Sequence, residues 1–261
     1  MSNLSQAVDY LLYRMKAVKL HGVHSPFVFD LYQQVILHDG SYYSFSQIEA
    51  VRQEMLSDYS AIEVTDFGAG SKKINYTTRQ ISDIARTSLK PAKYGQLLFR
   101  LVNRFRPNYV FELGTSLGIT TAYMASAARN AALYTFEGCP TIAKVARGNF
   151  SFLDLTNITQ ITGNLDETLQ PQLEQIPQLD FAFFDGNHRY EPTMRYFTQC
   201  LAKAHEGSVF VMDDIYWSAE MKRAWKEIKQ HPAVCQTIDL YFVGLVFFRT
   251  TQPKEHFTLF Y

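Results

Sequence analysis

This chain of 261 residues has little cysteine and no excess of charge of either sign. Its three cysteines, Cys139, Cys200 and Cys235, are widely spaced and form no C-x-x-C pair, which argues against a disulfide framework and a thiolate zinc site. Lys and Arg together number 25, as do Asp and Glu, so the formal net charge is zero. Proteins that bind nucleic-acid backbones usually carry a basic excess, so the composition argues against a nucleic-acid partner.

The chain also lacks a long apolar run. The longest such run near the C-terminus, YFVGLVFF at 241–248, is far too short to span a bilayer. The first sixteen residues have no basic start followed by an apolar core, so they are not typical of a secretory signal. These features predict a soluble, cytoplasmic protein with no membrane partner.

The most informative segment that is present runs from Tyr109 to Ala125 and reads YVFELGTSLGITTAYMA. It predicts a strand that ends at Glu112, a tight turn with Gly114 and Gly118, and then a helix. Such a turn brings backbone N–H groups and a helix N-terminus close to a bound cofactor, and glycine lets the backbone approach a ligand. The G-x-G-x-x-G pattern that grips a pyrophosphate is missing, which argues against a dinucleotide.

A second glycine turn, Asp66 to Gly70, resembles a cofactor turn equally well. The residues after it offer no second strand that ends in an acidic residue, so we favour a glycine-rich turn over a loop that covers a ligand. Two histidines, His21 and His24, flank a glycine before Pro26. No further ligand cluster lies nearby in the sequence, so a turn is favoured there over a metal site.

The pattern of apolar residues predicts the fold class. From Pro91 onward, continuous apolar strands alternate with helices, which is typical of a parallel sheet covered on both faces. We expect a doubly wound, mostly parallel α/β sheet of seven strands that ends in an antiparallel hairpin. Residues 1 to about 60 have apolar residues at helical spacing. We therefore divide the chain into a helical N-terminal extension at 1–90, which would cap the pocket or form a dimer face, and a cofactor-binding domain at 91–261.

Polar residues follow several of the predicted strands, at the edge where open α/β sheets bind ligands. These positions are Glu112, Glu137 with Gly138, Asn164 with Asp166, Asp185 with His188, and Asp213 with Asp214. An acidic side chain at the end of the second strand is able to accept two hydrogen bonds from a ribose diol. The sequence therefore predicts a nucleoside-containing cofactor at this edge.

Five of these segments, taken in order and spacing, resemble class I S-adenosylmethionine-dependent methyltransferases. They read ELGTSLG, TFEG, GNLDETL, FFDGNHRYE and VMDDIYW. The likeness is strongest to small-molecule O-methyltransferases of the catechol and macrolide-sugar (macrocin) type. It covers about residues 91–250 and implies a Rossmann-like fold, S-adenosylmethionine as cofactor and methyl transfer as the activity. Each motif is weak alone, whereas five in register are a specific signal.

Carried over residue by residue, the resemblance implies that the first strand end and its turn line the methionine end of the cofactor. These residues are Glu112, Gly114, Thr115, Ser116 and Gly118. The ribose hydroxyls would bind Glu137, with Gly138 beside it, and the adenine would face Asn164 or Asp166. Asp185 would close the cofactor site.

In the metal-dependent members of the resembled family, three carboxylate or amide side chains hold magnesium. The matching residues here are Asp185, Asp213 and Asp214, and hard oxygen ligands suit Mg2+. Adjacent strand residues point to opposite faces, so Asp213 and Asp214 serve together only if the chain leaves the strand between them. The alternative is that Asp213 caps the next helix or pairs with a lysine, and that no metal binds.

His188 lies three residues after Asp185, where the catechol enzymes carry a lysine that acts as the base. An imidazole has an ordinary pKa of about 6.5, closer to neutrality than the value of about 10.4 for lysine. We expect His188 to be the catalytic base, with Asp185 beside it. A histidine that only bonds solvent at a helix start is the alternative, and the departure from lysine leaves the base open.

The predicted reaction is methyl transfer from S-adenosylmethionine to a hydroxyl of a small molecule, assisted by Mg2+. Three alternatives stay open: methylation of nitrogen or of a macromolecule, a nicotinamide-dependent dehydrogenase, and a non-catalytic S-adenosylmethionine-binding protein. The lack of an N-P-P-Y-type tetrapeptide argues against base methylation, and the missing third glycine argues against the dehydrogenase. No motif indicates the acceptor, and a homodimer is expected only from its frequency in the resembled family.

Overall fold

The fold is taken from a computed structural model that describes residues 3–66 and 75–261. The second glycine turn, with Gly68 and Gly70, lies outside the described residues. In the described part the helices are α1 Asn3–Lys16, α2 Pro26–Leu31, α3 Tyr43–Ser57, α4 Ile81–Ser88, α5 Ala92–Phe105, α6 Ile119–Ala127, α7 Pro140–Phe152, α8 Leu165–Glu174, α9 Tyr190–Leu201 and α10 Ala219–Gln230. The strands are β1 Ala61–Asp66, β2 Asn75–Gln80, β3 Tyr109–Leu113, β4 Ala132–Glu137, β5 Ile158–Thr162, β6 Phe181–Phe184, β7 Val209–Asp213, β8 Gln236–Asp239, β9 Val243–Phe247 and β10 Glu255–Thr258.

Several helices begin where the sequence supplies a capping residue. The Ser25 side chain accepts a hydrogen bond from the backbone N–H of Val28, with Pro26 at the first position of α2. Asn164 caps α8 and Ser218 caps α10 in the same way. A π-helical segment at Tyr32–Ile36 continues α2. These capping residues explain where the three helices begin.

One compact unit comprises Asp39–Ile176. Its strands β3, β4 and β5 pair in parallel in that order, so their carboxyl ends share one edge. Strands β1 and β2 form a separate antiparallel hairpin, which the sequence analysis did not predict. Helices α5 and α6 pack closely because Gly95 of α5 leaves room for the buried ring of Tyr123. This packing fixes α6, whose N-terminus follows the predicted cofactor turn.

The other compact unit combines 1–38 with Pro177–Tyr261. Its strands follow the order β10-β8-β9-β7-β6, and only β9 runs antiparallel to its neighbours. Strands β6 and β7 are buried along their whole length, which explains their unbroken apolar sequences. The predicted antiparallel hairpin is present as β8 and β9, and β10 then adds a parallel strand next to β8.

Helix α1 belongs to this second unit and is tied to its C-terminal segments. The Tyr13 hydroxyl donates to the carbonyl of Leu259 at 2.6 Å, and the Tyr241 hydroxyl donates to the carbonyl of Gln6 at 2.9 Å. Asp9 and Lys222 of α10 form an ion pair at 2.8 Å. The N-terminal helix is therefore an integrated part of this unit.

The predicted fold class is confirmed: the strands described above form mostly parallel α/β structure with helices on the connections. Among the described residues, strands β3 to β10 make eight strands of this mostly parallel kind, whereas seven were predicted. The additional strand is β10, to which the C-terminal FTLFY contributes. The predicted boundary between 1–90 and 91–261 stays a prediction. No helix of the described residues combines the length and the apolar character needed to cross a membrane.

Two helical glycines provide a matched test of the packing in the first unit. At Gly95 an added Cβ would lie 2.4 Å from Cδ2 of the Tyr123 ring, whereas at Gly148 of α7 it would meet no atom within 4 Å. We expect Gly95→Ala to lower the free energy of unfolding by about 1–3 kcal/mol through overpacking. Gly148→Ala should raise it by about 0.5–1 kcal/mol, since alanine favours the helix.

Chemical denaturation of both variants and the wild type measures the two effects. Equal changes in the same direction for the two variants would contradict the close contact between α5 and α6.

Candidate functional site

The turn between β3 and α6 has a backbone that strongly favours glycine. Gly114 and Gly118 have φ angles of 111° and 81°, and Ser116 between them has a φ of 48°. A Cβ on Gly118 would also lie 2.4 Å from the ring of Phe150. Gly118 is therefore required by backbone conformation and packing. Gly114 and Ser116 are half-buried, whereas the other residues of the turn are buried.

The carboxyl group of Glu112 lies under this turn and is completely buried. The Thr120 hydroxyl donates to its Oε1 at 2.8 Å, the Thr135 hydroxyl donates to its Oε2 at 2.6 Å, and the Thr121 hydroxyl also donates to Oε2. The Thr115 and Thr135 hydroxyls lie 2.6 Å apart, so the turn residue Thr115 joins the same network. Glu112 thus links the end of β3 with β4, α6 and the turn.

Burial raises the pKa of Glu112 to about 7. The three threonine hydroxyls oppose this rise because they stabilise the charged form, and the nearby charge of Glu137 adds to it. A carboxyl group in this environment is only partly ionised at neutral pH.

Glu137, at the end of β4, is joined to the glycine turn by hydrogen bonds. The backbone N–H of Ser116 donates to its Oε2 at 2.9 Å, and the backbone N–H of Cys139 donates to its Oε1 at 2.9 Å. Burial raises the pKa of Glu137, and the N–H bonds from Cys139, Ser116 and Gly138 oppose the rise. Each carboxylate oxygen keeps a lone pair beyond these bonds, enough for two ribose hydroxyls.

The predicted adenine-binding residues lie at the start of α8. Asn164 is half-buried, and its Oδ1 accepts from the backbone N–H of Asp166 at 3.1 Å. Gly163 before it has a φ of 143°, which redirects the chain after β5. Asp166 is exposed. Asn164 therefore caps α8 with its Oδ1. Its Nδ2 group is a hydrogen-bond donor, which the cap does not use.

The β1–β2 hairpin contacts the segment that follows Glu137. The backbone N–H of Thr65 donates to Sγ of Cys139 at 3.3 Å, and the Thr141 hydroxyl donates to the carbonyl of Glu63. Sequence reasoning missed these contacts, and it also missed the three threonines around Glu112. The sequence does contain a signal for the threonine network. Threonines occur on the two elements that adjoin Glu112, namely α6 and β4.

The predicted metal-binding and base residues lie in the other unit, after β6 and β7. Ligand atoms of Asp185, His188 and Asp213 all lie within 4.8 Å of one another, and Nε2 of His188 is 3.6 Å from Oδ1 of Asp185. Asp213 is buried, while Asp185 and His188 are half-buried.

Asp214 is not a member of this group, although it is half-buried and follows Asp213 directly. Its φ of 51° shows that the chain leaves the strand at this residue. Asp213 and Asp214 are able to bind one metal ion together only if the chain does so. The backbone N–H of Trp217 then donates to the carbonyl of Asp214 at 2.9 Å and closes the turn.

The buried Glu112 predicts a measurable pH dependence of stability. Its pKa rises from 4.5 to about 7 on folding, so the folded state binds more protons than the unfolded state between these values. The free energy of unfolding should therefore fall as pH rises through this window, by on the order of 3 kcal/mol in total. Glu112→Gln removes the titrating group and should lose this part of the dependence.

Urea denaturation of both proteins at several pH values gives the difference between them. A difference that stays constant from about pH 4 to about pH 8 would contradict the raised pKa of Glu112.

Part of the chain is similar in sequence to methyltransferases. Residues 111–215 match a family described as a methyltransferase domain. A catechol O-methyltransferase of Niastella koreensis is 32% identical over 124 residues, which cover 46% of this chain and 55% of that protein. A catechol O-methyltransferase of Bos taurus is 27% identical over 130 residues, covering 48% of this chain and 47% of that protein. The chain thus spans about half the length of these curated relatives.

Solved structures are similar over most of the chain. An O-methyltransferase from Bacillus cereus in complex with SAH has a TM-score of 0.56 at 16% identity, and the match covers 83% of this chain and 94% of that one. The O-methyltransferase TomG from Streptomyces achromogenes in complex with SAM has a TM-score of 0.58 at 16% identity, over 85% and 96% of the two chains. The resemblance to class I S-adenosylmethionine-dependent small-molecule O-methyltransferases is confirmed, and the fold is theirs.

Proposed function

We propose that this protein transfers a methyl group from S-adenosylmethionine to a hydroxyl group of a small molecule. The observation that carries the proposal is the bond from the Ser116 N–H to Glu137, which unites the glycine turn and the acid after β4. A turn that approaches the methionine part and an acid that accepts from a ribose diol are the two elements that this cofactor needs. The catechol O-methyltransferase relatives support a hydroxyl acceptor.

The residues present fit the cofactor. Glu137 has carboxylate lone pairs for the ribose, and Gly138 beside it is half-buried. The half-buried Gly114 and Ser116 would face the methionine part, and Asn164 would offer its amide to the adenine. Bound there, S-adenosylmethionine supplies an activated methyl group, whose carbon–sulfur bond breaks as a carbon–oxygen bond to the acceptor forms.

The residues of the acidic cluster also fit a divalent cation. Asp185 and Asp213 bring carboxylate oxygens together, and Asp214 follows at the point where the backbone turns. We propose Asp185, Asp213 and Asp214 as ligands, since oxygen donors suit Mg2+. Bound magnesium would lower the pKa of the acceptor hydroxyl and fix its orientation.

His188 is the proposed base. Its Nε2 lies 3.6 Å from Oδ1 of Asp185, which leaves Nδ1 as the ring nitrogen that would accept the hydroxyl proton. Asp185 would stabilise the imidazolium that forms. The contribution of His188 and Asp185 to the rate would then be to orient the hydroxyl and to remove its proton.

The ribose contact gives the first test of this function. Glu137→Gln keeps the size of the side chain but lowers its strength as an acceptor, so we expect at least about a tenfold loss of affinity for S-adenosylhomocysteine. Glu174→Gln, at the exposed end of α8, is the matched control and should bind like the wild type.

Isothermal titration calorimetry of the three proteins measures these affinities. Undiminished binding by Glu137→Gln, or no binding by the wild type, would contradict the proposed cofactor site.

A magnesium titration tests the acidic cluster. With the protein saturated in S-adenosylhomocysteine, we expect saturable binding of Mg2+ that Asp213→Asn abolishes, since a ligand charge is lost. Asp214→Asn should also weaken binding, because Asp214 is a proposed ligand. This result distinguishes the proposed ligands Asp185, Asp213 and Asp214 from the group of Asp185, His188 and Asp213. Glu255→Gln, at an exposed position of β10, serves as the control.

If the wild type shows no heat of magnesium binding, the metal is removed from the proposal. The proposed base His188 and the cofactor site would remain to be tested separately.

A further inference from the structure

In the part of the chain that the structure describes, the carboxyl group of Glu112 is buried and forms no ion pair with a cation. The groups that contact it are the neutral hydroxyls of Thr120 and Thr121 on α6 and of Thr135 on β4. Within residues 3–66 and 75–261, no Lys, Arg or His forms an ion pair with it, and the charged group that influences its pKa is the acidic Glu137. When the carboxyl group is ionised, the hydrogen bonds from the hydroxyls and the nearby N-terminus of α6 stabilise its negative charge.

A buried charge of this kind acts on charges that it does not touch. In a medium of low effective dielectric constant, attraction between unit charges persists over distances at which water would screen it. Glu112 is completely inaccessible and its oxygens are occupied by threonine hydroxyls, so direct contact with a ligand at the turn is not its role. Its position two residues before Gly114 still places it beneath the proposed methionine end of the cofactor.

The donor and the product differ in charge at one atom. S-adenosylmethionine carries a positive sulfonium, and S-adenosylhomocysteine carries a neutral thioether, while the ribose and adenine are the same in both. We propose that Glu112 is a specificity-determining residue that makes the site prefer the charged donor to the neutral product, by electrostatic attraction without contact. This inference rests on the proposed function.

The threonine network sets the strength of the effect. Hydroxyl donors favour the ionised form of Glu112, whereas burial opposes it. Each threonine that donates therefore increases the fraction of protein with a charged carboxylate and hence the preference for the donor. After methyl transfer the attraction is lost with the charge on sulfur, which favours release of the product.

The test compares affinities for the two cofactor forms by calorimetry in one buffer at about pH 7.5. Glu112→Gln should lower the ratio of donor affinity to product affinity by about tenfold, because one negative charge is removed. Glu174→Gln, which removes a negative charge at the exposed end of α8, is the matched control and should leave the ratio unchanged. Thr135→Val is a second variant, which favours the neutral carboxyl and should lower the ratio in the same direction.

An unchanged ratio in both Glu112→Gln and Thr135→Val would overturn the inference, even if both variants bind more weakly. If Glu112→Gln fails to fold, the ratio measured for Thr135→Val decides alone. Failure of the wild type to bind either ligand would instead overturn the proposed function itself, and the two failures are thus distinguishable.

Discussion

The structure of the candidate site depends on a single buried carboxyl group. Glu112 ends a strand at the edge where a ligand is expected, and three threonine hydroxyls from α6 and β4 hold it there. Through the contact between Thr115 and Thr135, the same network reaches the turn whose backbone has positive φ angles. Removal of a buried group from such a network leaves donors unsatisfied, so its members stabilise the turn together.

The proposed chemistry is divided between the two compact units. The glycine turn, Glu137 and Asn164 belong to 39–176, and they form the features expected of a donor site. Asp185, His188 and Asp213 belong to the discontinuous unit, where they form the group suited to an acceptor hydroxyl. In each unit the group lies at or after the carboxyl ends of parallel strands, which is where α/β folds usually bind ligands.

Much of this was predictable from the sequence, for physical reasons. Strand 181–184 is an unbroken apolar run, the helix at 219–230 has apolar residues at helical spacing, and capping by Ser218 marks the start of that helix. The hairpin of β1 and β2 was not predicted, because β2, with the sequence NYTTRQ, is almost wholly polar and has no apolar pattern. The roles of Thr120, Thr121 and Thr135 were also missed, since they depend on which side chains tertiary packing brings to Glu112.

A crystal structure of the protein with S-adenosylhomocysteine tests the central claim most directly. The account predicts that the ribose hydroxyls lie within hydrogen-bond distance of the Glu137 carboxylate, with the sulfur above the turn at 114–118 and no atom of the ligand in contact with the Glu112 carboxyl. A ligand bound elsewhere, or a ribose that does not reach Glu137, would contradict the assignment of this turn as the donor site.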